Sequence, residues 1–345
     1  MMERKRILIV EVNWIGDVLF STPFIRAVRE AYPDAYIACL LHPRCREVLE
    51  GNPRLDEIIV YDEEGEHRSI LGKVKLILSL RKRHFDTAFL LHRSFTKALI
   101  AFLAGAKERI GYPTKRRSFL LTTIAEISGE EPHKVEYFLD VARAAGITPK
   151  SRSYEFFITD SHRNAMKTLL AQNGAAGNGR LAVICPGGNW DPKRWPKDNF
   201  ALLADALIGR YGVSVVISGT QKDTGLAADI AGMMKNKPVI LCGKTTLKET
   251  AALFESSELV VANDTGTMHL AVAMKAKVIA LFGPTSPRLT GPYGEGRYRV
   301  IVKQDECEVP CYDLSCTDNR CMAAIKVEDV LREADKLAEP RNAYR

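Results

Sequence analysis

The chain has 345 residues, 46% of them hydrophobic, a length and composition that favour two domains with a full core each. It has no run of 18 apolar residues and no secretory signal pattern at its start, so we expect a cytoplasmic protein without a transmembrane helix. Residues 1–150 carry 24 basic and 20 acidic side chains and residues 151–345 carry 25 and 22, an even division that argues against a nucleic-acid-binding protein.

Apolar strand-like runs alternate with amphipathic helical stretches along the first half of the chain, which is typical of parallel βαβ units. The strands predicted here are Arg6–Val12, Tyr36–Leu41, Glu57–Tyr61, Thr87–Leu91 and Arg109–Tyr112. The helices predicted here are Asp17–Ala31, Arg68–Arg83, Phe95–Ala104 and Glu131–Ala145.

The pattern restarts after a glycine-rich loop that ends near residue 180, which predicts a second sheet. Its predicted strands are Leu181–Cys185, Val213–Ser218, Pro238–Cys242, Leu259–Ala262, Lys277–Phe282 and Arg299–Val302. The sequence therefore predicts an α/β protein with two Rossmann-like parallel-sheet domains, residues 1–170 and 171–345, that face a cleft. Ligands bind beyond the carboxyl ends of strands in such sheets.

The stretch from residue 258 to 274 is a candidate phosphate-binding element. It reads as a buried strand, a turn at Asn263–Gly266, and a helix that begins at about Thr267. A helix start presents unpaired N–H groups and a positive dipole end, while Thr265 and Thr267 add hydroxyl groups. Asp264 can accept from a sugar hydroxyl. The alternative is that Asp264 or Thr265 only caps the helix.

Two further loops of the second half could converge on that turn. Residues 186–200 contain Lys193, a cation that could neutralise a pyrophosphate, and residues 218–223 end in Asp223, which could hold a ribose hydroxyl. For Lys193 the alternative is a solvent-facing charge, and for Asp223 it is an ordinary helix-start acid. Neither half has the G-x-G-x-x-G sequence after its first strand, which argues against a dinucleotide cofactor.

In the first half, Asp17 follows the first strand and Gly16, where a carboxylate could act as a general base. The alternative for Asp17 is a helix N-cap.

Basic clusters at residues 81–84 and 115–117 are solvated faces or contacts to an anionic substrate or membrane surface. Four cysteines follow a C-x3-C-x4-C-x4-C spacing and could bind zinc or pair as disulfides; they are Cys307, Cys311, Cys316 and Cys321. The spacing lacks a C-x2-C knuckle, which argues against a metal site.

Four ordered motifs resemble a known family. They are Gly16-Asp-Val-Leu-Phe-Ser-Thr-Pro23, Leu91-His-Arg-Ser-Phe-Thr-Lys-Ala-Leu99, Pro186-Gly-Gly with Lys193-Arg-Trp-Pro196, and Asn263-Asp-Thr-Gly-Thr-Met-His269 with Phe282-Gly-Pro-Thr285. Together they resemble the ADP-heptose:lipopolysaccharide heptosyltransferases of glycosyltransferase family 9, over nearly the whole chain. The cysteine-rich tail and residues 93–97 are most similar to the heptosyltransferase II branch. The resemblance implies the two-domain GT-B fold.

The resemblance also implies roles for individual residues. Asp17 would be the catalytic base. The donor nucleotide sugar, ADP-heptose, would be bound by Lys193, Asp223, Thr245, Asp264, Thr265, Gly266, Thr267 and His269. Where some family members have hydroxyl residues before the lysine, this chain has Gly188 and Asn189.

The resulting hypothesis is an inverting transfer of heptose to a hydroxyl of the lipopolysaccharide inner core, without a metal or other cofactor. Domain closure would exclude water, and the protein would act in the cytoplasm or at the cytoplasmic face of the inner membrane. Candidates for contact with acceptor phosphates or carboxylates are Arg93, Lys97, Arg116 and Arg117. The alternatives are a nucleotide-sugar epimerase of the same fold and a non-catalytic nucleotide-sugar-binding protein.

Overall fold

The computed structural model describes residues 4–175, 179–304, 307–313 and 315–338. It consists of two compact units that divide between Phe157 and Ile158. The sequence predicts this division at 170/171, where the glycine-rich loop begins, but the structure has a helix at Asp160–Gln172 and assigns all of it to unit 2. No helix in the described ranges combines the length and the apolar character needed to cross a membrane.

Unit 1 contains a parallel six-stranded sheet with helices between its strands. Its elements are β1 Arg6–Val10, α1 Ile15–Ala31, β2 Tyr36–Leu41, α2 Arg46–Leu49, β3 Glu57–Val60, α3 Ile70–Arg81, β4 Thr87–Leu90, α4 Phe95–Leu103, β5 Glu108–Gly111, β6 Thr123–Ile124 and α5 Lys134–Arg143. The strand order is β3-β2-β1-β4-β5-β6. The two-residue strand β6 was not predicted, because its sequence is too short to show a period.

Unit 2 repeats this plan. Its elements are α6 Asp160–Gln172, β7 Leu181–Cys185, α7 Lys197–Tyr211, β8 Ser214–Ile217, α8 Thr224–Met233, β9 Val239–Ile240, α9 Leu247–Ser256, β10 Leu259–Asn263, α10 Gly266–Ala273, β11 Lys277–Phe282, α11 Pro287–Thr290, β12 Arg297–Val302, α12 Arg320–Ala323 and α13 Val327–Ala338. The strand order is β12-β11-β10-β7-β8-β9, and every pairing is parallel. The predicted α/β class and the two parallel sheets are confirmed.

Each sheet reverses its strand order once, between β1 and β4 in unit 1 and between β7 and β10 in unit 2. The chain leaves the two strands at such a point in opposite directions, so a crevice opens beyond their carboxyl ends. In unit 1 the segments that follow these strands begin at Glu11 and Leu91, and in unit 2 at Pro186 and Asp264. These segments and the helices that follow them contain nine of the thirteen predicted site residues.

Alternation along the strands of unit 1 divides its core into two layers. The side chains of Leu8, Leu40 and Leu90 share one buried cluster with α3 and α4. Helices α1 and α5 pack against each other elsewhere in the unit, and this contact brings the starts of both helices into the candidate site.

Candidate active site

Asn263, the last residue of β10, ties together the two loops at the reversal point of unit 2. Its buried side-chain oxygen accepts from the Trp195 N–H at 3.2 Å, and its Nδ2 donates to Pro186 O at 2.9 Å and Gly187 O at 3.2 Å. One amide therefore holds the start and the end of the loop that contains Lys193. Sequence reasoning gave Asn263 no role of its own, because its partners lie about 70 residues away in the chain.

The turn after Asn263 leads directly into α10, which begins at Gly266, one residue before the predicted start. Thr265 occupies the N-cap position in an extended conformation, and its side chain makes no capping hydrogen bond. Its hydroxyl instead lies 2.7 Å from the Thr267 hydroxyl. Two hydroxyl groups and the positive end of an eight-residue helix thus occur together, an arrangement that suits a phosphate.

Lys193 and Asp264 form an ion pair beside this helix start. The lysine Nζ lies 2.6 Å from Asp264 Oδ2, which also accepts from the Thr285 hydroxyl at 2.7 Å. Asp264 and Thr285 are buried, and the lysine Nζ lies 4.5 Å from the centre of the Trp190 ring. The structure thus brings the predicted cation and acid together and adds Thr285, which the sequence analysis quoted only as part of a motif.

Two glycines after the ends of β7 and β8, Gly187 and Gly219, have no room for a side chain. A Cβ on Gly187 would come within 2.6 Å of the Asp223 carboxylate, and one on Gly219 within 3.0 Å of Asp223 Cβ. Asp223 accepts from the backbone N–H and hydroxyl of Thr220 at 2.8 and 2.7 Å, so it closes the turn that begins α8. It therefore fills the helix-start role that was its alternative interpretation, at a position adjacent to the Gly187 backbone.

The two remaining donor-side candidates are His269 and Thr245, which lie away from the Lys193–Asp264 pair. His269 belongs to α10 and is buried. Thr245 lies just before α9, and its hydroxyl is 2.8 Å from the Thr250 hydroxyl. The Gly243 N–H donates to Gly219 O at 3.0 Å, which places the Thr245 loop beside the loop after β8.

The segment from Asn319 to Ile325 holds the Lys193 loop in place through two hydrogen bonds. The Trp195 indole N–H donates to Ile325 O at 2.9 Å, and Asn319 Nδ2 donates to Arg194 O at 2.9 Å. A Cβ on Gly283 would come within 2.6 Å of Met322 Sδ, so α12 packs directly on the end of β11. Within the described ranges, no group of three or more Cys, His, Asp or Glu side chains has the arrangement of a metal site.

In unit 1, Asp17 lies in the first turn of α1, whose N-cap residue is Trp14. The N-cap interpretation of Asp17 is therefore wrong. The carboxylate is half-buried, and this burial raises its pKa, while the nearby Lys134 ammonium group lowers it. Lys134 begins α5, the helix that packs on α1. Sequence reasoning missed Lys134, because 117 positions separate it from Asp17 in the chain.

A buried acid and a buried cation lie under the segment between β1 and Asp17. Glu11 is fully buried and accepts from the Ser21 hydroxyl at 2.8 Å and from the Val12 N–H at 3.1 Å. Burial raises the Glu11 pKa to about 7, against the lowering effect of these bonds and of the Lys97 charge. Lys97 Nζ donates to Glu11 O at 3.0 Å and to the Asn13 side chain.

The four predicted acceptor-side cations separate into two pairs. Lys97 and Arg117 are buried, and Arg117 donates to Tyr112 O and His92 O. These two cations hold the loops of unit 1 in place. Their burial argues against the direct contact with the acceptor that the sequence predicts. Arg93 and Arg116 are exposed; burial raises the pKa of Tyr137, and the nearby Arg93 guanidinium lowers it.

Comparison with known proteins identifies relatives along most of the chain. The family model described as glycosyltransferase family 9 (heptosyltransferase) matches residues 73–320. Lipopolysaccharide heptosyltransferase 2 of Escherichia coli K12 is 29% identical over 309 residues, which cover 86% of this chain and 87% of that protein.

Two solved structures share the fold. The family 9 glycosyl transferase of Veillonella parvula has a TM-score of 0.89 at 26% identity and covers 98% of both chains. The ADP-heptose lipopolysaccharide heptosyltransferase II of E. coli has a TM-score of 0.80 at 28% identity, over 96% of this chain and 98% of that one.

Replacing Glu11 with Gln should flatten the pH dependence of stability. The folded state holds a proton on Glu11 up to about pH 7, whereas the unfolded chain releases it near the ordinary pKa of 4.5. The free energy of unfolding therefore falls as pH rises through this window, by up to roughly 3 kcal/mol. Urea midpoints at pH 5 and pH 8 should differ less in Glu11→Gln than in the parent chain.

The matched control is Glu30→Gln, because Glu30 is exposed near the end of α1. This control should keep the parent's difference between the two pH values. An equal difference in the parent and Glu11→Gln would show that Glu11 is ionised throughout.

Proposed function

Since this chain belongs to glycosyltransferase family 9, we propose that it transfers heptose from ADP-heptose to a hydroxyl of the lipopolysaccharide inner core, with inversion at the anomeric carbon. The two E. coli relatives named above are heptosyltransferases, and family membership supports a transferase over the epimerase and the non-catalytic alternatives. The observation that carries the proposal is the Lys193–Asp264 pair beside the start of α10, a cation and a helix dipole placed for a diphosphate.

The donor diphosphate would bind in unit 2. Its oxygens would accept from the N–H groups at the start of α10 and from the hydroxyls of Thr265 and Thr267. Lys193 supplies the positive charge, and Asp264 holds that lysine in place at 2.6 Å. When the glycosidic bond breaks, negative charge grows on the departing ADP, and these groups stabilise it without a metal ion.

The acceptor would be activated in unit 1. Asp17 takes the proton of the attacking hydroxyl, the new bond forms between that oxygen and the anomeric carbon, and ADP leaves with the electrons of the old bond. A half-buried carboxylate with a raised pKa is a stronger base than an exposed one. Arg93 and Arg116, which remain exposed, would contact acceptor anions, and the enzyme would work against a membrane surface that holds its lipid-linked acceptor.

Asp17→Asn should reduce kcat by roughly 10²–10⁴-fold, because the amide cannot accept the proton. ADP affinity, measured by calorimetry, should stay within about twofold, because the proposed nucleotide contacts lie in unit 2. Asp34→Asn, at an exposed carboxylate after α1, should leave kcat unchanged. Full turnover by Asp17→Asn would eliminate Asp17 as the base.

Lys193→Gln should weaken ADP binding and lower kcat/KM for the donor by roughly 10²-fold, because the leaving diphosphate loses its cation. Lys197→Gln serves as the control, since that lysine is exposed and pairs with Asp229 on the surface. Both variants should retain the parent's circular dichroism. ADP affinity unchanged by Lys193→Gln would contradict the proposed diphosphate site.

Lys134→Met should move the acidic limb of the kcat/KM profile to higher pH. Removal of the ammonium group takes away the charge that lowers the Asp17 pKa, so the carboxylate stays protonated to a higher pH. Lys134→Arg should restore the parent profile, and Lys150→Met, at an exposed lysine, should not change it. An acidic limb that stays fixed in Lys134→Met would show that another group limits the rate.

A further inference from the structure

Helices α3 and α4 lie side by side on one face of the unit 1 sheet and bury one side of each helix against it. Leu76 and Leu80 of α3 and Ala98 and Ala101 of α4 belong to the same buried cluster as the strand residues beneath them. The opposite sides of both helices face outward. On a helix that only covers a sheet, those outward positions are normally polar.

The outward side of α3 is apolar. Ile70 is 83% exposed and Leu71 65%, and Val74 and Leu78 are exposed further along the same helix. Residues 70, 74 and 78 are spaced by four, so they form one stripe along the helix. Burial against unit 1 does not explain these side chains, because the core contacts of α3 come from its other side.

Helix α4 and the turn at residues 118–120 extend this apolar surface. Phe95, Phe102 and Leu103 are exposed on α4, and Phe119, 76% exposed, has its ring centre 6.4 Å from that of Phe95. Fifteen large hydrophobic side chains are exposed in the described part of the chain, and eight of them belong to α3, α4 and this turn. The clustering distinguishes this surface, the α3–α4 face, from the scattered apolar residues found on any protein.

The α3–α4 face is also strongly basic. Residues 68–107 contain nine Lys and Arg but a single acid, Asp86. Lys97 is buried, Arg83 pairs with Glu57 and Lys107 pairs with Asp86, which leaves six cations, namely Arg68, Lys73, Lys75, Arg81, Lys82 and Arg93. Lys75, Arg81 and Lys82 are exposed on or just after α3. The Arg109 guanidinium lies 5.2 Å from the Phe102 ring centre, so cations and apolar groups are interleaved rather than separate.

We propose that the α3–α4 face docks unit 1 on an anionic lipid bilayer, with its leucines and phenylalanines at the acyl boundary and its cations among the headgroups. Long basic side chains extend their charges to the headgroup level while their stems stay with the apolar residues. Each Lys or Arg near an anionic surface adds to the attraction. The inference rests on the proposed function, whose lipid-linked acceptor belongs to such a surface.

The charges decide between a bilayer and a second copy of the chain. A symmetric dimer would place the same patch of each copy against the other. Because Lys75, Arg81 and Lys82 would then meet their own counterparts with few acids nearby, such contact is repulsive. An anionic membrane supplies the opposite charge and an apolar layer together.

The experiment measures how the full chain partitions onto vesicles without any sugar substrate. Vesicles contain phosphatidylcholine alone or with about one third phosphatidylglycerol, and bound protein is separated by flotation. The apolar variant is Leu71→Ser with Leu78→Ser, and its control is Leu202→Ser, at an exposed leucine of unit 2. The charge variant is Lys75→Gln with Lys82→Gln, and its control is Lys235→Gln with Lys237→Gln.

The parent chain and both controls should bind the anionic vesicles and release them as salt is raised. The apolar variant should lose at least tenfold in partitioning, and the charge variant roughly fivefold per lysine removed. Parent-like partitioning of both test variants would overturn the proposal. A parent dimer that only the apolar variant dissociates would also overturn it, in favour of a second copy.

Transfer to a delipidated core acceptor separates this inference from the proposed function. The apolar and charge variants should match the parent in that assay. A chain that binds vesicles through the α3–α4 face but releases no ADP with any core acceptor would refute the heptose transfer and leave the docking surface in place.

Discussion

The reversal of strand order between β7 and β10 is the constraint on which the donor side of the molecule depends. Two loops leave neighbouring strands in opposite directions, and without a bridge they would be free to separate. Asn263 is that bridge: its amide is buried and satisfied on both its oxygen and its nitrogen by the loop from Pro186 to Trp195. Loss of such a buried amide leaves backbone groups unpaired, which costs more than the bond itself contributes. Asn263 fixes the loop that contains Lys193, and this lysine pairs with Asp264, the next residue after Asn263.

In unit 1, buried titratable side chains hold the segment that leads to Asp17. The segment from Glu11 to Asp17 must pass from the buried end of β1 to the start of α1, and a buried carboxylate and a buried lysine accompany it. Lys97 donates to Glu11 O and to the Asn13 side chain of that segment, while the Ser21 hydroxyl and the Val12 N–H donate to the Glu11 carboxyl group. Buried polar and charged groups need such partners to offset their desolvation. Here the partners belong to α1 and α4, so the network fixes the position of the residues just before Asp17.

The sequence was informative wherever function and local pattern coincide. Strand periods, the turn at Asp264 and the lysine at position 193 are local signals. The structure places Asp264 and Lys193 together at one edge of the sheet. The sequence predicts Lys97 and Arg117 as acceptor contacts, because a basic residue in a loop motif gives no sign of its burial. Glu11, Asn263 and Lys134 received no role, since each depends on partners brought together by packing rather than by spacing. Tertiary contacts between remote segments are the information that local pattern lacks.

The distribution of charge along the chain is also not apparent from local patterns or from totals over each half. Counted by halves, basic residues are spread evenly, and this count argues against a nucleic-acid-binding protein. Counted over residues 68–107, which include α3, β4 and α4, nine basic residues stand against one acid. The helical period of residues 70–81 also looks like a simple core helix until its second apolar stripe is found facing outward. A helix with apolar residues on both sides and cations between them has two surfaces to bury, and unit 1 covers only one of them.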